Sequence, residues 1–241
     1  MILLTGATGA VGTALLRRLV QERRPVRCLV RDPRRLGPDR MRVALALGDL
    51  TDPPSFRNAL RGVRAVVHLA QTRRDQPRGS IEEVDAIATW RLVEAAERAG
   101  AERFVLLSDL AASPTDRTRF RRAKAVAEEA VLGSSLHASV LAPSFVAGRV
   151  RPLVVGRSTR AFEPVTPGDV AAAALAALDG PGGRVELRGP EAVGRDALVA
   201  RLAGRAPVRL PEPIAERGLR AVERLLGERT PLTWDEVELL V

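Results

Sequence analysis

Apolar residues recur along the chain in two rhythms. Ile2 to Leu4 form a short continuous run. After glycines at 6 and 9, Val11, Leu15, Leu16 and Leu19 fall on one face of a helix over 10–21, with a third glycine at 12. Further apolar runs at 25–31, 41–47, 65–70, 103–107 and 138–142 predict strands, and the one at 65–70 is continuous enough for burial on both faces. Between them, Val84, Ile87, Ala88, Leu92, Val93 and Ala96 line one face of a helix over 81–99, closed by Gly100; that face is read as packing. A helix opens at Phe120 and runs through Lys124, and another leads from 164–171 through Leu178 with Asp169 as its cap or anchor. A strand at 184–188 and helices over 195–203, 213–226 and 233–240, separated by prolines 207, 211, 213 and 231, complete the pattern.

Alternating strands and helices predict an α/β fold with a parallel sheet. The glycines give it a function. Gly6 permits a sharp turn, Gly9 lets backbone approach a phosphate, and Gly12 lets the helix pack close to the strand. The helix start then offers unpaired N–H groups and a positive dipole end to a diphosphate. The spacing, Gly-x-x-Gly-x-x-Gly, matches the dinucleotide fingerprint in mechanism and not letter for letter.

The stretch Thr5-Gly-Ala-Thr-Gly-Ala-Val-Gly12 resembles the short-chain dehydrogenase/reductase superfamily. It is similar in particular to the atypical and extended branches, which include NmrA-like proteins and the accessory NAD(P)-binding subunit of respiratory complex I. The resemblance implies a Rossmann-type doubly wound parallel sheet over 1–148, and a part over 149–241 that completes the core and forms a small, mostly helical substrate-side lobe. It is firm to Gly148, looser to Leu178 and thin beyond. It makes Gly6, Thr8, Gly9, Ala10, Val11 and Gly12 the expected diphosphate contacts.

Other expected cofactor contacts stand at strand ends. Arg31 follows the second apolar run, with Arg34 and Arg35 close behind; a guanidinium fork suits the 2′-phosphate of NADP, while Asp32 keeps NAD open as the alternative. The resemblance places Asp49 and Leu50 against the adenine, although Asp49 reads equally as a turn or helix cap before Pro53. It also draws Ala70 and Gln71 along the path to the nicotinamide. Residues from Pro143 to Gly148 resemble the extended branch's segment bordering that ring. There Ala142 and Ala147 replace its arginine and tyrosine, which counts against sugar-nucleotide substrates. His68, inside a strand, is expected to be a hydrogen-bonded core residue.

The catalytic reductases of the superfamily carry a serine after the fifth strand and a Tyr-x-x-x-Lys pair on the next helix. Ser108 and Lys124 match, but Phe120 occupies the tyrosine position and the chain contains no tyrosine at all. Lys124 is thereby expected to hold the cofactor ribose, and Ser108 either to polarise a substrate or merely to end its strand. Loss of a positioned proton donor typically costs about 10²–10⁴ in rate. Two classes therefore stay open: an NADP(H)-dependent oxidoreductase acting on a small organic molecule without the tyrosine, and a nucleotide-binding sensor or assembly protein without turnover. A sugar-nucleotide epimerase is the weaker third.

Composition narrows the partners. The net charge of +9 raises the question of nucleic acid, but the basic residues are interleaved with acids, and aromatics that could stack on bases make up only 3%. Lys124 is the only lysine among 38 basic side chains, so its use reads as specific. One cysteine, Cys28, excludes an internal disulfide, and two distant histidines leave no credible metal site. With no apolar run long enough to span a bilayer and no leader-like start, a cytoplasmic protein is expected; a homodimer or larger assembly stays open.

Overall fold

The computed structural model describes residues 1–148 and 150–240. Seven strands form one parallel sheet: β1 (Ile2–Thr5), β2 (Val26–Val30), β3 (Ala44–Leu47), β4 (Ala65–His68), β5 (Arg103–Leu107), β6 (His137–Pro143) and β7 (Gly183–Leu187), in the order β7-β6-β5-β4-β1-β2-β3. Every neighbouring pair is parallel, with Ile2 of β1 in register with Val26 on one side and Ala65 on the other. The order reverses between β1 and β4. Connections leave the two strands toward opposite edges there, which opens a crevice at their carboxyl ends.

Period-two alternation sorts the sheet's side chains onto two faces. Leu4, Val67 and Val105 pack against α1 (Ala10–Gln21) through Leu15, Leu16 and Leu19. On the other face Leu3, Val66 and Phe104 meet Phe56 of α2 (Pro53–Arg57) and Leu92 and Val93 of α3 (Ala88–Arg98). Ala127 and Val131 of α4 (Arg119–Leu132) join that second core. Beside α1 lies α5 (Pro167–Ala177), whose start is fixed by a reciprocal cap: the Thr166 hydroxyl accepts from the Asp169 N–H, and the Asp169 carboxylate accepts from the Thr166 N–H. The doubly wound α/β architecture is the expected one.

Two boundaries differ from expectation. The strand predicted over 41–47 begins at Ala44, because Pro33–Arg42 coils into tight helical turns around Pro38 and a left-handed Gly37. The helix predicted over 81–99 is not uniform: Glu82–Ile87 is a π-helical turn leading into α3. The wider turn swings Ile87 into solvent and carries Asp85 into the protein, where it is fully buried.

The C-terminal part contributes β7 and α5 to the main core and then folds into a lobe of α6 (Arg195–Ala203), α7 (Glu212–Leu226) and α8 (Trp234–Glu238), with short strand pairs. Two small apolar clusters hold it, one around Val155, Ala215, Trp234 and Val237, the other around Phe162, Val193 and Leu198. Arg195 is almost fully buried and donates to the carbonyls of Val155 and Gly156, stitching α6 to the segment after β6. No described helix is long and apolar enough to cross a membrane.

Candidate functional site

A cavity of about 520 Å³ opens at the carboxyl ends of β1 and β4, where the strand order reverses. Its base is the loop between β1 and α1, and Gly6, Thr8, Gly9, Ala10, Val11 and Gly12 all line it. The three glycines differ in what they permit. Gly6 has a φ of +70°, and a Cβ there would lie 2.5 Å from the Ala70 backbone nitrogen. A Cβ on Gly12 would meet the Gly6 carbonyl oxygen at 2.1 Å, so only glycine lets α1 sit this close to the loop. Gly9 is exposed, and a Cβ would touch only the Gly6 oxygen at 3.4 Å; its bareness serves whatever approaches from the cavity. The start of α1 has no side-chain cap, leaving its first N–H groups directed outward.

From this base the cavity extends both ways. Toward β2 and β3 it is lined by Arg31, Asp32, Arg35, Asp49, Leu50 and Arg78. Asp32 accepts from the Arg34 N–H, capping the turn that follows, while Arg31 reaches Gln76 at 3.3 Å. Asp49 accepts from both the N–H and hydroxyl of Thr51 and faces Arg78 at 3.5 Å. Burial works to raise the Asp49 pKa, but those two donors with Arg31 and Arg78 hold it below the usual carboxylate value. The turn role weighed for Asp49 is thus in place, and the residue still borders the cavity. Toward β4 and β5 the wall runs through Ala70, Gln71, Arg73, Leu107 and Val146 to Gly148. The Gln71 side-chain oxygen is buried and has no hydrogen-bond partner among the described residues. An orphaned acceptor beside a glycine cradle fits a ligand that brings hydroxyl or amide donors.

The residues expected at the chemical end stand elsewhere. Lys124 is 0% exposed and does not line the cavity; its Nζ lies 2.8 Å from Asp85 Oδ1 and donates to the Leu107 carbonyl at 2.9 Å. This differs from the expected ribose contact, and the reason is the π-helical turn, which supplies a buried counter-ion. Asp85 Oδ2 accepts from the Thr72 N–H at 2.8 Å, and burial outweighs Lys124, so its pKa is raised. Ser108 does not line the cavity; it donates to Glu128, which also accepts from Arg184 through its other oxygen. Phe120 is buried with Ile81, Ala86, Ala123 and Leu239, off the cavity wall, with Lys124 Nζ 5.5 Å from its ring centre and the Arg73 guanidinium 5.9 Å away. Pro143 is buried at the end of β6, its carbonyl accepts from the Leu110 N–H, and it does not line the cavity. His68 is fully buried between the Thr5 and Thr89 hydroxyls, and burial, reinforced by Lys124, lowers its pKa to about 3.

Asp85, Arg73 and Glu128 were not singled out in the sequence. An acid inside an apolar helical stretch was the available signal for Asp85. For Arg73 it was position, three residues past Ala70 at the end of a strand bordering the crevice.

The profile of a family described as NAD(P)H-binding matches residues 6–181. The chain belongs to this NAD(P)H-binding family, an atypical, NmrA-like branch of the short-chain dehydrogenase/reductase superfamily. Within it, sterol demethylase protein B of Methylococcus capsulatus is 34% identical over 73% of this chain and 65% of its own length. The photosystem II assembly factor Ycf39 of Cyanophora paradoxa is 32% identical over 58% of this chain and 43% of its own. The chain thus spans about half to two-thirds of those two relatives. A (4-alkanoyl-5-oxo-2,5-dihydrofuran-3-yl)methyl phosphate reductase of Streptomyces griseus is 34% identical over 93% of this chain and 86% of its own length. A nucleoside-diphosphate-sugar epimerase from Staphylococcus aureus superposes with a TM-score of 0.76 over 99% of this chain and 87% of that one at 17% identity, a likeness of fold alone.

Proposed function

We propose that this member of the NAD(P)H-binding family is a reductase that uses NADPH to reduce a small organic acceptor. One observation carries the reading: a single cavity at the sheet's switch point runs from arginines at one end, across the bare glycine loop, to Gln71 and Arg73 at the other. When bound, the dinucleotide supplies a hydride; this chain's residues bind and orient. The glycine loop and the start of α1 receive the diphosphate. Arg31 and Arg35 favour a 2′-phosphate, and Asp32, occupied in capping Arg34, is less available to a 2′-hydroxyl. Gln71 accepts from a donor on the nicotinamide side. Lys124 acts from behind the wall, fixing the Leu107 carbonyl and Asp85. The reductase name of the Streptomyces relative supports turnover.

A second reading, a nucleotide-binding sensor or assembly protein, draws on Phe120, which carries no proton to give, and on the assembly-factor relative. The test is calorimetry with NADPH and NADH followed by a screen of quinones, enones and aldehydes for NADPH oxidation. Tighter binding of NADPH, lost in Arg31→Glu, with oxidation by at least one acceptor is the expected result. Binding without any turnover favours the sensor, and no binding of either nucleotide overturns both.

A further inference from the structure

We propose that α7 is a membrane-docking helix, whose exposed apolar strip and flanking arginines lay the C-terminal lobe on an anionic phospholipid surface. The inference stands apart from the reductase reading and does not depend on it.

Helical spacing makes the strip. In α7 (Glu212–Leu226) Ile214, Gly218, Ala221 and Leu225 recur at intervals of four, three and four, which sets them in one row along the helix. That row is exposed: Ile214 by 62% and Leu225 by 84%, with Gly218 and Ala221 also in solvent. A separate row, Ala215 and Leu219, packs with Val155, Trp234 and Val237 and holds the helix to the lobe. The apolar surface of α7 is therefore wider than the lobe's own core covers. Charge is sorted by side around the same helix. At about 100° per residue Arg217 and Arg224 border the exposed strip, whereas Glu212, Glu216 and Glu223 fall on the side away from it. Those three acids are also engaged: Glu212 with Arg117 at 2.6 Å, Glu216 with Arg220 at 3.0 Å, and Glu223 with the Trp234 N–H. Arg217 and Arg224 are exposed, and neither has a carboxylate within 4 Å among the described residues. Just past the helix, Glu228 and Arg229 cancel in charge.

An apolar strip edged by unpaired arginines suits the headgroup layer of a bilayer. The apolar side chains enter the acyl boundary, and the arginines extend their stems to reach lipid phosphates. The complementary surface is anionic, and the chain's net charge of +9 draws the whole molecule toward it. Two other occupants fit less well. A second copy pairing two-fold about this strip would set the same flank of each helix against itself, arginine facing arginine. A groove on a protein partner takes large anchors at successive turns, and the middle of this strip is Gly218 and Ala221, which fill no pocket. Ile214 and Leu225, about 16 Å apart along the axis, suit a fluid layer that needs no shaped pocket. With only two large apolar side chains, docking is reversible and needs the charge as well.

The test is co-sedimentation of the full chain with phosphatidylcholine vesicles, with and without about 30% phosphatidylserine, at about 0.1 M and 0.5 M salt. Expected is binding to the anionic vesicles at least tenfold above the neutral ones, lost at the higher salt. Ile214→Gln with Leu225→Gln, and separately Arg217→Gln with Arg224→Gln, should each weaken it at least tenfold. Arg40→Gln with Arg91→Gln removes the same charge from exposed positions elsewhere and should weaken it less than about threefold. Every substituted side chain is exposed, and circular dichroism confirms that each variant is folded. No binding to anionic vesicles, binding that survives either α7 pair, or an equal loss in the Arg40 and Arg91 pair overturns the proposal. So does a dimer in light scattering that Ile214→Gln with Leu225→Gln dissociates, since a second copy would then cover the strip.

Discussion

Replacing Lys124 by Met separates two accounts of the only lysine. If its ammonium serves the fold, as the 2.8 Å contact to Asp85 at zero exposure implies, removing it strands a carboxylate in the interior with the Thr72 N–H as its remaining direct donor. Breaking a buried pair by deleting one partner typically costs about 3–5 kcal/mol, a large part of a domain's stability. The loss should depend on pH in a defined direction. The Asp85 pKa is already raised by burial, and losing the ammonium raises it further. A raised folded-state pKa gives stability that is full below the unfolded value and is lost as pH rises through the folded one. Lys124→Met should therefore be least stable at pH 8 and recover toward pH 5, with a slope of up to about 1.4 kcal/mol per pH unit. Lys124→Met combined with Asp85→Asn removes the stranded charge and should flatten that slope. Urea unfolding followed by circular dichroism at pH 5.5 and 8, with an NADPH titration on the same samples, reads both quantities. Stability within about 0.5 kcal/mol of the parent at pH 8, together with a tenfold or greater loss of NADPH affinity, would refute the buried-pair account and return Lys124 to the ribose.

Three further outcomes follow from the geometry. Gly12→Ala puts a methyl 2.1 Å from the Gly6 oxygen and should lower stability by about 1–3 kcal/mol, whereas Gly9→Ala should leave the melting temperature unchanged and weaken NADPH binding at least tenfold. His68 stays neutral in the fold to about pH 3 while the unfolded ring titrates near 6.5, so stability is full above 6.5 and falls on acidification. Between pH 7 and 5 that is about 2 kcal/mol, and His68→Gln should show a correspondingly shallower pH dependence in urea unfolding. Phe120→Tyr adds a hydroxyl to the apolar cluster under Leu239, so a loss of about 1–2 kcal/mol with no recovered ketone reduction is expected; a hundredfold rise in that activity would show that the ring reaches the cavity.

The parts of the site that could be read from the chain are those whose cause is local. Gly6, Gly9 and Gly12 act within one turn of backbone, and the face of α1 repeats at helical spacing, so loop, helix and cradle follow from neighbouring residues. Arg31 stands where strand ends at a parallel sheet's carboxyl edge open a crevice, and Asp49, Ala70 and Gln71 were expected there from the family resemblance; all four line the cavity. The chemical end was not, because its partners are chosen across the fold. A straight helix over 81–99 puts Ile87 inside; one extra residue in the π-helical turn rotates the face, exposes Ile87 and buries Asp85 opposite Lys124. The position of Lys124 four residues after Phe120 indicated a shared helix face, and it could not indicate that a carboxylate from another helix occupied that face first. Ser108 likewise found Glu128 on α4, a pairing with no mark in the sequence around either residue.

On the proposed reductase reading, these placements bear on which acceptors react. Lys124 is neutralised by Asp85, Phe120 has no proton, and Ser108 is held by Glu128, which leaves Arg73 as the charged residue lining the cavity on the side of β4 and β5. A guanidinium stabilises negative charge as it develops but does not surrender a proton near neutral pH. A simple ketone becomes an alkoxide whose formation needs that proton in the transition state. A quinone or enone spreads the charge over a conjugated system, survives as an anion, and takes its proton from water afterwards. In the acceptor screen, quinones and enones should therefore oxidise NADPH at least 100-fold faster than saturated ketones of similar size, and Arg73→Gln should slow the former. Equal rates for saturated ketones, unaffected by Arg73→Gln, would mean that a proton donor reaches the cavity from outside the groups named here.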